Sequence, residues 1–296
     1  MEKCNICPRK CNIDRDNGKT GFCGVPSDRI IAARAALHMW EEPCISGEEG
    51  SGTVFFSGCT LRCVYCQNYD IARAVTGKEI TKERLVEIFL ELQAKGANNI
   101  NLVTPTHYTK EIIWAVKKAR EEGLHLPIVY NCSGYESVKT LKNLESIVDI
   151  YLTDFKYMQN AMAKKYSKAE DYPEVAKRAL DEMFRQQPEA EFDERGMMTK
   201  GIIVRHLLLP GYLDNAKEIV KYVYETYEDK VFLSLMNQYT PLPQVESFPE
   251  INRKVTEEEY EELVDYAIEI GVESGFIQEG ETAEESFIPA FDCEGI

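Results

Sequence analysis

Three cysteines lie close together in the stretch GCTLRCVYCQN, directly after the apolar run TVFF, at Cys59, Cys63 and Cys66. Their thiolates are soft ligands, which suit zinc, copper(I) and iron–sulfur clusters. A structural zinc site takes four protein ligands, and a [4Fe–4S] cube has four irons that each need a ligand. Three thiolates therefore leave one iron of a cube open to a small molecule. The alternative is a zinc site completed by the distant Cys132 or Cys44.

A second group of cysteines lies near the start of the chain, in the spacing C-x2-C-x3-C-x11-C. Four thiolates can close a zinc site or hold a second iron–sulfur cluster. The glycines of DRDNGKTGFCG allow the loop to turn back towards a metal. We favour a second cluster, with zinc or no metal as the alternatives. The predicted ligands are Cys4, Cys7, Cys11 and Cys23.

The composition is that of a globular chain with a strongly acidic balance. Its 296 residues are 44% hydrophobic and 28% charged, and the formal net charge is −16. Nucleic-acid binding normally requires a basic face, so we expect no nucleic-acid partner. No apolar run reaches the length of a membrane span, and the first residues lack an apolar secretory core. We therefore expect no membrane partner and a cytoplasmic location. Ten cysteines, several with short spacers, are then expected to bind metal rather than to form disulfides.

Strand-like and helix-like segments alternate after residue 50. Helical periodicity is clearest from Thr81, the predicted N-cap, to residue 97, and over residues 110–122 and 173–185. Repeated strand–helix units with apolar strands imply a parallel sheet that is covered by helices and can curl into a full or partial barrel. The six predicted strands lie in TVFFSGC, NINLVTP, PIVYNCS, IVDIYLTDFKY, GIIVRHLLLPG and KVFLSLMNQY.

Polar side chains follow each predicted strand at its carboxyl end. Because these ends meet at one edge of a parallel sheet, we expect the functional residues to gather there. Asp154 and Lys156 are two residues apart on a strand, so they point to the same face and can pair. The polar residues concerned are Cys59, Thr104, Asn131, Asp154, Lys156, Arg205, Asn237 and Gln238.

The end of the chain is predicted to form an extension of the barrel. KVTEEEYEELVDYAIEIGV reads as an amphipathic helix with Leu263, Ala267 and Ile268 facing inward. The strings GFIQEG and FIPAF are expected to pack on the barrel and close its open side. The predicted parts are a cysteine-rich N-terminal segment, a barrel and a C-terminal extension, at residues 1–50, 51–240 and 241–296.

The triplet C-x3-C-x-aromatic-C, with Tyr65 as the aromatic, resembles the signature of the radical SAM superfamily. GSGTVFFSGCTLRCVYCQNYDI resembles the activating enzymes of pyruvate formate-lyase. CNICPRKC, HMWEEPCISG, LVTPTHY, MNQY and FIQEGETA are similar to strings in uncharacterised homologues of those activases. The resemblance runs from Cys4 to Asp292 and implies an α/β fold, a partial (β/α)6 TIM-like barrel of the radical SAM type.

The resemblance also implies cofactors and chemistry. A [4Fe–4S] cluster on the triplet would bind S-adenosylmethionine (SAM) at its open iron. An electron, from a reductant such as ferredoxin or flavodoxin, would cleave SAM to methionine and a 5′-deoxyadenosyl radical that abstracts hydrogen from an unknown substrate. No side chain is assigned a catalytic role of its own. The residues that resemble SAM-binding positions are Tyr65, Thr104, Asn131, Ser133, Asp154, Lys156, Arg205 and Asn237.

Lys156 and Arg205 match the activase positions that approach SAM most closely. Lys156, in TDFK, corresponds to a lysine expected near the SAM carboxylate or ribose, and Asp154 faces the same pocket. A purely structural Asp154–Lys156 pair is the alternative. Arg205 corresponds to an arginine near the methionine carboxylate, which a planar guanidinium fits well. His206 is expected to be a packing residue.

The sequence departs from the activases on the side where the substrate would bind. TPTHY, with Thr104 and Thr106, replaces the Gly-Gly-Glu that cradles the methionine amine, and Asn237 and Gln238 replace a late histidine. A different substrate would produce such changes while SAM cleavage is kept. Two other functions stay open: activation of a glycyl radical on a protein partner, and a non-enzymatic iron–sulfur or zinc-binding protein.

Overall fold

Within residues 3–278 and 289–296, the part of the chain that the computed structural model describes, ten strands form a mixed sheet. They are β1 (Ile30–His38), β2 (Ser51–Phe56), β3 (Lys78–Ile80), β4 (Ile100–Val103), β5 (Ile128–Cys132), β6 (Ile150–Asp154), β7 (Glu191–Phe192), β8 (Met198–Leu207), β9 (Phe232–Met236) and β10 (Gly275–Ile277). Their order across the sheet is β10-β9-β8-β6-β5-β4-β2-β1-β3, and β7 pairs with β8 beside this path.

The helices follow the strands along the chain, and the long ones pack on one face of the sheet, over the main core. They are α1 (Pro43–Ser46), α2 (Tyr69–Ala72), α3 (Lys82–Ala94), α4 (Thr109–Glu121), α5 (Val138–Lys142), α6 (Asn160–Ser167), α7 (Tyr172–Gln186), α8 (Leu213–Tyr227) and α9 (Glu257–Glu269). Short 3-10 turns lie at Arg15–Asn17, Thr106–Tyr108, Glu228–Lys230, Pro243–Val245 and Pro249–Ile251.

The predicted α/β fold is confirmed. The six predicted strands are β2, β4, β5, β6, β8 and β9, and they pair in parallel in this order. Thr81 caps α3 as predicted, because its hydroxyl accepts a hydrogen bond from the backbone N–H of Arg84. The sheet is open: β10 lies at one edge, and the antiparallel strands β1 and β3 lie at the other.

Successive side chains along each strand point to opposite sides of the sheet. On β5, Ile128 and Tyr130 belong to the main core beneath the helices, whereas Val129 packs on the other, inner side. Asn131 shares the inner side with Val129, since residues two apart in a strand face the same way. The inner side therefore changes from apolar at the amino ends of the strands to polar at their carboxyl ends.

A short segment before β2 fills the apolar part of the inner side. Cys44 and Ile45 of α1 pack there against Val129, Ile150, Leu152, Met198 and Ile203. The amides of Asn98 and Asn99 donate to the carbonyls of Ser46 and Ile45, both at 2.7 Å. We call residues 41–46 the plug, because they close the inner side at the amino ends of the strands.

The C-terminal helix is confirmed, with one error in its orientation. Leu263 and Ala267 of α9 are buried as predicted, together with Tyr260. Ile268 is 65% exposed, so its prediction as an inward residue is wrong. The buried residues recur at i, i+3 and i+7, and the residue after Ala267 lies about 100° further round the helix, which turns it towards solvent.

The end of the chain pairs with β1 beside β3. The Cys293 N–H donates to the carbonyl of Ala33 at 3.0 Å, and the Ala35 N–H donates to the carbonyl of Glu294 at 2.8 Å. Phe291, from the predicted packing string FIPAF, meets the Phe55 ring edge-to-face at 5.4 Å. Gly275–Ile277 of the other string, GFIQEG, form β10 and pair in parallel with β9 at the edge of the sheet. Within the two strings, residues 279–280 and 287–288 lie outside the described residues.

The proposed three-part division stays a prediction. β1 lies before residue 50 yet pairs antiparallel with β2 after it, so hydrogen bonds of the sheet cross that boundary.

All ten cysteines are free thiols. No helix in the described part of the chain combines the length and apolar character that a bilayer crossing requires.

Candidate functional site

The cysteine triplet lies on the loop that follows β2, and a glycine lets this loop turn. Gly58 has a φ of +89°, and a Cβ at this position would lie 2.7 Å from the carbonyl oxygen of Cys23. The backbone N–H groups of Leu61 and Arg62 then point at Cys59 Sγ, at 3.3 and 3.4 Å. Such N–H donors stabilise a thiolate, and at Cys59 they act against the larger effect of burial.

The environment of the triplet fits a thiolate-ligated metal centre. Burial raises the pKa values of the Cys59 and Cys66 thiols, so without a metal both would stay protonated near neutral pH. Three soft sulfurs with N–H donors around them suit an iron–sulfur cluster. Among the described residues, no three Cys, His, Asp or Glu side chains are placed to hold a single metal ion.

A cavity of about 350 Å³ opens at the carboxyl ends of the strands. The triplet forms one wall, and the plug, with Glu41 and Glu42, forms part of another. Asn237 lies outside this lining, whereas its neighbour Gln238 belongs to it. The predicted site residues that line the cavity are Cys59, Cys63, Tyr65, Cys66, Thr104, Asn131, Ser133, Asp154, Lys156 and Arg205.

The predicted pairing of Asp154 and Lys156 is confirmed. Lys156 Nζ lies 2.7 Å from Asp154 Oδ2 at the end of β6, with side chains 17% and 23% exposed. Burial acts to lower the pKa of Lys156, but Asp154 and the nearby Cys63 and Cys66 outweigh it and hold this pKa above its usual value. The ammonium therefore stays charged beside the cysteine triplet.

Arg205 projects from β8 into the cavity, and the plug holds one edge of its guanidinium. Arg205 Nε and Nη2 donate to the two carboxylate oxygens of Glu42, at 2.7 and 2.6 Å, and Nη2 also donates to Glu41. Nη1 has no hydrogen-bond partner among the described residues. The predicted carboxylate-binding arginine is thus fixed by the chain's own carboxylates and keeps one nitrogen available.

The two plug glutamates lie in HMWEEPCISG, a string to which the sequence assigned no role, and Asn101 was not predicted. Asn101 and Asn131 both donate their side-chain amides to Glu41 Oε1, at 2.8 and 3.3 Å. Asn131 therefore supports the plug as well as lining the cavity. The available signal was Asn101 itself, a polar side chain in the middle of the apolar strand NINLV.

Tyr65 lies in a cluster of tyrosines beside the triplet. Its ring meets those of Tyr157, Tyr166 and Tyr239 edge-to-face, with centroids 6.2–6.4 Å apart. Its hydroxyl donates to the hydroxyl of Tyr157 at 2.7 Å. These contacts show that the ring packs into the core, while the residue still borders the cavity.

Thr104 and Ser133 line the cavity just after β4 and β5, and we call the residues that follow the strands there the rim of the cavity. Thr104 has a φ of +58°, which is rare for a β-branched residue. Its N–H donates to the carbonyl of Asn131 at 2.9 Å, and the Ser133 carbonyl accepts a hydrogen bond from Tyr172 at 2.8 Å. The rim thus contains a backbone turn where the sequence comparison placed the Gly-Gly-Glu of the activases.

The N-terminal cysteines lie behind the triplet loop, outside the cavity lining. The Cys59 N–H donates to the carbonyl of Cys23 at 3.3 Å, so the two cysteine groups touch through their backbones. Cys11 Sγ accepts from the Phe22 N–H at 3.4 Å. Burial raises the pKa of Cys7 to about 12, against a hydrogen bond from the Arg9 backbone. Backbone donors thus serve sulfurs in both groups.

The chain matches proteins of known family. Residues 53–223, more than half of the chain, match the family model of the Radical SAM superfamily. An uncharacterised protein of Methanocaldococcus jannaschii is 27% identical over 275 residues, which are 90% of this chain and 75% of that protein. The pyruvate formate-lyase-activating enzyme of Clostridium pasteurianum is 27% identical over 176 residues, covering 57% of this chain and 66% of that enzyme.

One solved structure supports the fold. The FeFe-hydrogenase maturase HydG from Carboxydothermus hydrogenoformans superposes with a TM-score of 0.50 at 11% sequence identity. The match covers 80% of this chain and 56% of that one, so the chain spans little more than half the length of HydG. At this identity the similarity concerns the fold alone. The family model and the cysteine loop at its expected place lead to one conclusion: the chain belongs to the radical SAM superfamily.

Proposed function

We propose that this protein binds a [4Fe–4S] cluster on Cys59, Cys63 and Cys66 and cleaves SAM reductively to methionine and a 5′-deoxyadenosyl radical. The observation that carries the proposal is the cavity in which the triplet, the Lys156–Asp154 pair and Arg205 meet. A reductant such as ferredoxin or flavodoxin would supply the electron. The substrate that loses a hydrogen atom stays unidentified.

The side chains around the cavity suit the polar groups of SAM. Lys156 offers an ammonium to the carboxylate or ribose, and Arg205 Nη1 offers a second donor to the carboxylate. The plug glutamates hold Arg205 in place, so its orientation costs little entropy when a ligand binds. Thr104, Asn131 and Ser133 complete the rim with polar atoms from neighbouring strands.

Anaerobic reconstitution tests the cluster and the cleavage together. We expect the wild-type protein to show a [4Fe–4S] signal that changes on addition of SAM, and to form 5′-deoxyadenosine with dithionite. Cys63→Ala should fold but lose the SAM-responsive signal and the product. Cys293→Ala, a cysteine far along the chain on the β1 side of the sheet, is the matched control and should retain both. A wild-type cluster that never yields 5′-deoxyadenosine would favour an electron carrier instead.

Replacement of Lys156 separates a SAM-binding role from a structural ion pair. We expect Lys156→Met to keep the cluster and to weaken SAM binding at least tenfold, measured by titration of the cluster's spectral response. Loss of a buried partner also destabilises the fold, so urea unfolding is measured in parallel. A variant that is less stable but binds SAM normally would assign the pair to structure.

We further propose a metal centre on Cys4, Cys7, Cys11 and Cys23, with a second iron–sulfur cluster favoured over zinc. A Cβ at Gly21 would lie 3.0 Å from Cys11 Sγ, so the chain passes very close to that sulfur. Arg62 interacts electrostatically with Cys23, Arg73 donates to the Arg62 carbonyl, and the Nε atoms of both are buried without partners among the described residues. A thiolate-bound metal carries negative charge, which these guanidinium groups would compensate.

Metal analysis of Cys7→Ala tests this second centre. We expect the variant to lose one set of metal equivalents relative to wild type while the SAM-responsive cluster remains. Iron and zinc content then identifies the metal, with Cys293→Ala again as the control. If neither iron nor zinc content changes, the N-terminal cysteines hold no metal.

A second candidate function is activation of a glycyl radical on a protein partner. Its support is the similarity to the pyruvate formate-lyase-activating enzyme of Clostridium pasteurianum. The test incubates the reconstituted protein and SAM with a glycyl radical enzyme and records the electron paramagnetic resonance spectrum. A stable glycyl radical signal would support activation, and 5′-deoxyadenosine without that signal would point to another substrate.

A further inference from the structure

One cysteine of the triplet has a side-chain donor that the sequence did not reveal. Ser167, the last residue of α6, is 1% exposed, and its hydroxyl lies 3.1 Å from Cys63 Sγ. The triplet loop is tied to the same helix end, because the Val64 N–H donates to the carbonyl of Tyr166 at 2.9 Å. The serine is therefore held against the sulfur by the backbone on both sides of the contact.

The serine is the last member of a chain of hydroxyl groups. The Tyr157 hydroxyl lies 2.7 Å from Ser167 Oγ, and the Tyr65 hydroxyl donates to that of Tyr157 at 2.7 Å. A metal-bound thiolate accepts hydrogen bonds and cannot donate them, so Ser167 must donate to Cys63. Its oxygen then accepts from Tyr157, and all three hydroxyls point their hydrogens towards the sulfur.

The tyrosines of this chain stay neutral donors. A tyrosine hydroxyl ordinarily ionises only at about pH 10, so both tyrosines act as neutral donors at neutral pH. Hydrogen bonds in such a chain polarise one another, and each upstream hydroxyl strengthens the final bond to sulfur. Cys59 and Cys66, by contrast, receive backbone N–H donors.

Donors to a ligand sulfur alter the redox behaviour of an iron–sulfur cluster. Reduction adds negative charge that is shared with the sulfurs, so a donor stabilises the reduced form more than the oxidised form. In the proposed reaction, SAM is cleaved only after the cluster has been reduced. A donor on Cys63 therefore makes the cluster easier to reduce.

We propose that Ser167, polarised by Tyr157 and Tyr65, is a positioning residue that raises the reduction potential of the cluster through its hydrogen bond to Cys63. The inference rests on the proposed function, since it requires a cluster on the triplet. On this proposal, α6 and Tyr65, the aromatic residue of the cysteine motif, influence the reduction potential of the cluster in addition to packing in the core.

A redox titration followed by electron paramagnetic resonance tests the proposal without turnover. We expect Ser167→Ala to bind a full cluster but to have a more negative reduction potential than wild type. Tyr157→Phe should give a smaller shift in the same direction, and Ser167→Thr, which keeps a hydroxyl, should restore most of the wild-type value. SAM cleavage should fall in the same order with a weak reductant and recover with a strong one.

Tyr239→Phe is the matched control. The Tyr239 ring also contacts the Tyr65 ring, but its hydroxyl donates to the Ile251 carbonyl at 2.8 Å and is not part of the chain of hydroxyl groups. The reduction potential of the cluster in Tyr239→Phe should equal that of wild type. Unchanged potentials in both Ser167→Ala and Tyr157→Phe would overturn the proposal, and a shift in Ser167→Ala alone would overturn the role of the tyrosines. Absence of any cluster in wild type would instead refute the proposed function.

Discussion

Glu136 is a carboxyl group buried without a cationic partner among the described residues. Thr106 donates to it at 2.7 Å and the Tyr130 hydroxyl at 3.4 Å, and the side chain is 1% exposed. Burial raises the pKa of Glu136 to about 8, against the effect of these two hydrogen bonds. Thr106 is thereby committed to Glu136, away from the cavity lining where the sequence comparison placed it.

This carboxyl group predicts a pH-dependent stability. Its pKa is about 8 in the folded protein against an ordinary value of 4.5, so folding favours the protonated form. Below pH 4.5 Glu136 is protonated in both the folded and the unfolded protein. As the pH rises from 4.5 to about 8, the unfolded protein loses this proton first, so the free energy of unfolding declines. We expect Glu136→Gln to remove this decline and to stabilise the protein at pH 9 by roughly 2–4 kcal/mol relative to wild type.

Urea unfolding of the reduced apoprotein at pH 5, 7 and 9 measures the effect. The variant Glu121→Gln removes an exposed carboxylate and serves as the control, which should follow wild type. Equal slopes of stability against pH for wild type and Glu136→Gln would show that the carboxyl is ionised in the fold.

At the level of elements, one arginine joins three segments around the triplet. Arg9, from the N-terminal cysteine segment, donates to the carbonyls of Thr60 at 2.9 Å and Ser167 at 2.8 Å, and also to that of Lys168. Its guanidinium also lies 3.8 Å from the Phe22 ring centroid. The cysteine-rich segment, the triplet loop and the end of α6 are therefore held as one unit.

We expect Arg9→Ala to loosen this unit. Several charge-assisted hydrogen bonds to backbone carbonyls are lost, which should reduce the free energy of unfolding by about 1–3 kcal/mol. Hydrogen exchange followed by mass spectrometry should show faster exchange in peptides that contain Leu61 and Val64. Lys10→Ala, the exposed neighbour, is the control, and equal exchange in both variants would show that Arg9 is dispensable.

The elements also show what could be predicted from the sequence. The strands and long helices follow local periodicity, so their positions were predicted within a few residues. The plug could not be predicted, because α1 has only four residues and its contacts lie on strands far along the chain. The Ser167–Cys63 contact was missed for the same reason, since 104 residues separate the two. The cysteine triplet was found because its three residues lie close together in sequence.

At the scale of the whole molecule, the last residues cover part of an exposed sheet edge. Residues 293–294 pair with β1, and Arg34 of β1 forms ion pairs with Asp292 at 3.0 Å and with Glu294. Unpaired strand edges are sites of aggregation, so this cover protects the antiparallel side of the sheet.

Removal of residues 292–296 should therefore destabilise the protein and promote association. We expect a loss of about 1–3 kcal/mol in the free energy of unfolding and larger species in light scattering. The double variant Asp292→Asn/Glu294→Gln keeps the backbone pairing and loses only ion pairs at an exposed site, which contribute little. A truncated protein that stays monomeric and as stable as the double variant would contradict a protective role.

The plug sets a direction of access. Cys44 and Ile45 pack on the inner side at the amino ends of the strands, and the cavity lies at the carboxyl ends. On the proposed function, SAM would lie against the cysteines at the bottom of this cavity, and a substrate that enters over the carboxyl ends would meet it there. SAM would then bind before the substrate, and methionine and 5′-deoxyadenosine would leave after the product.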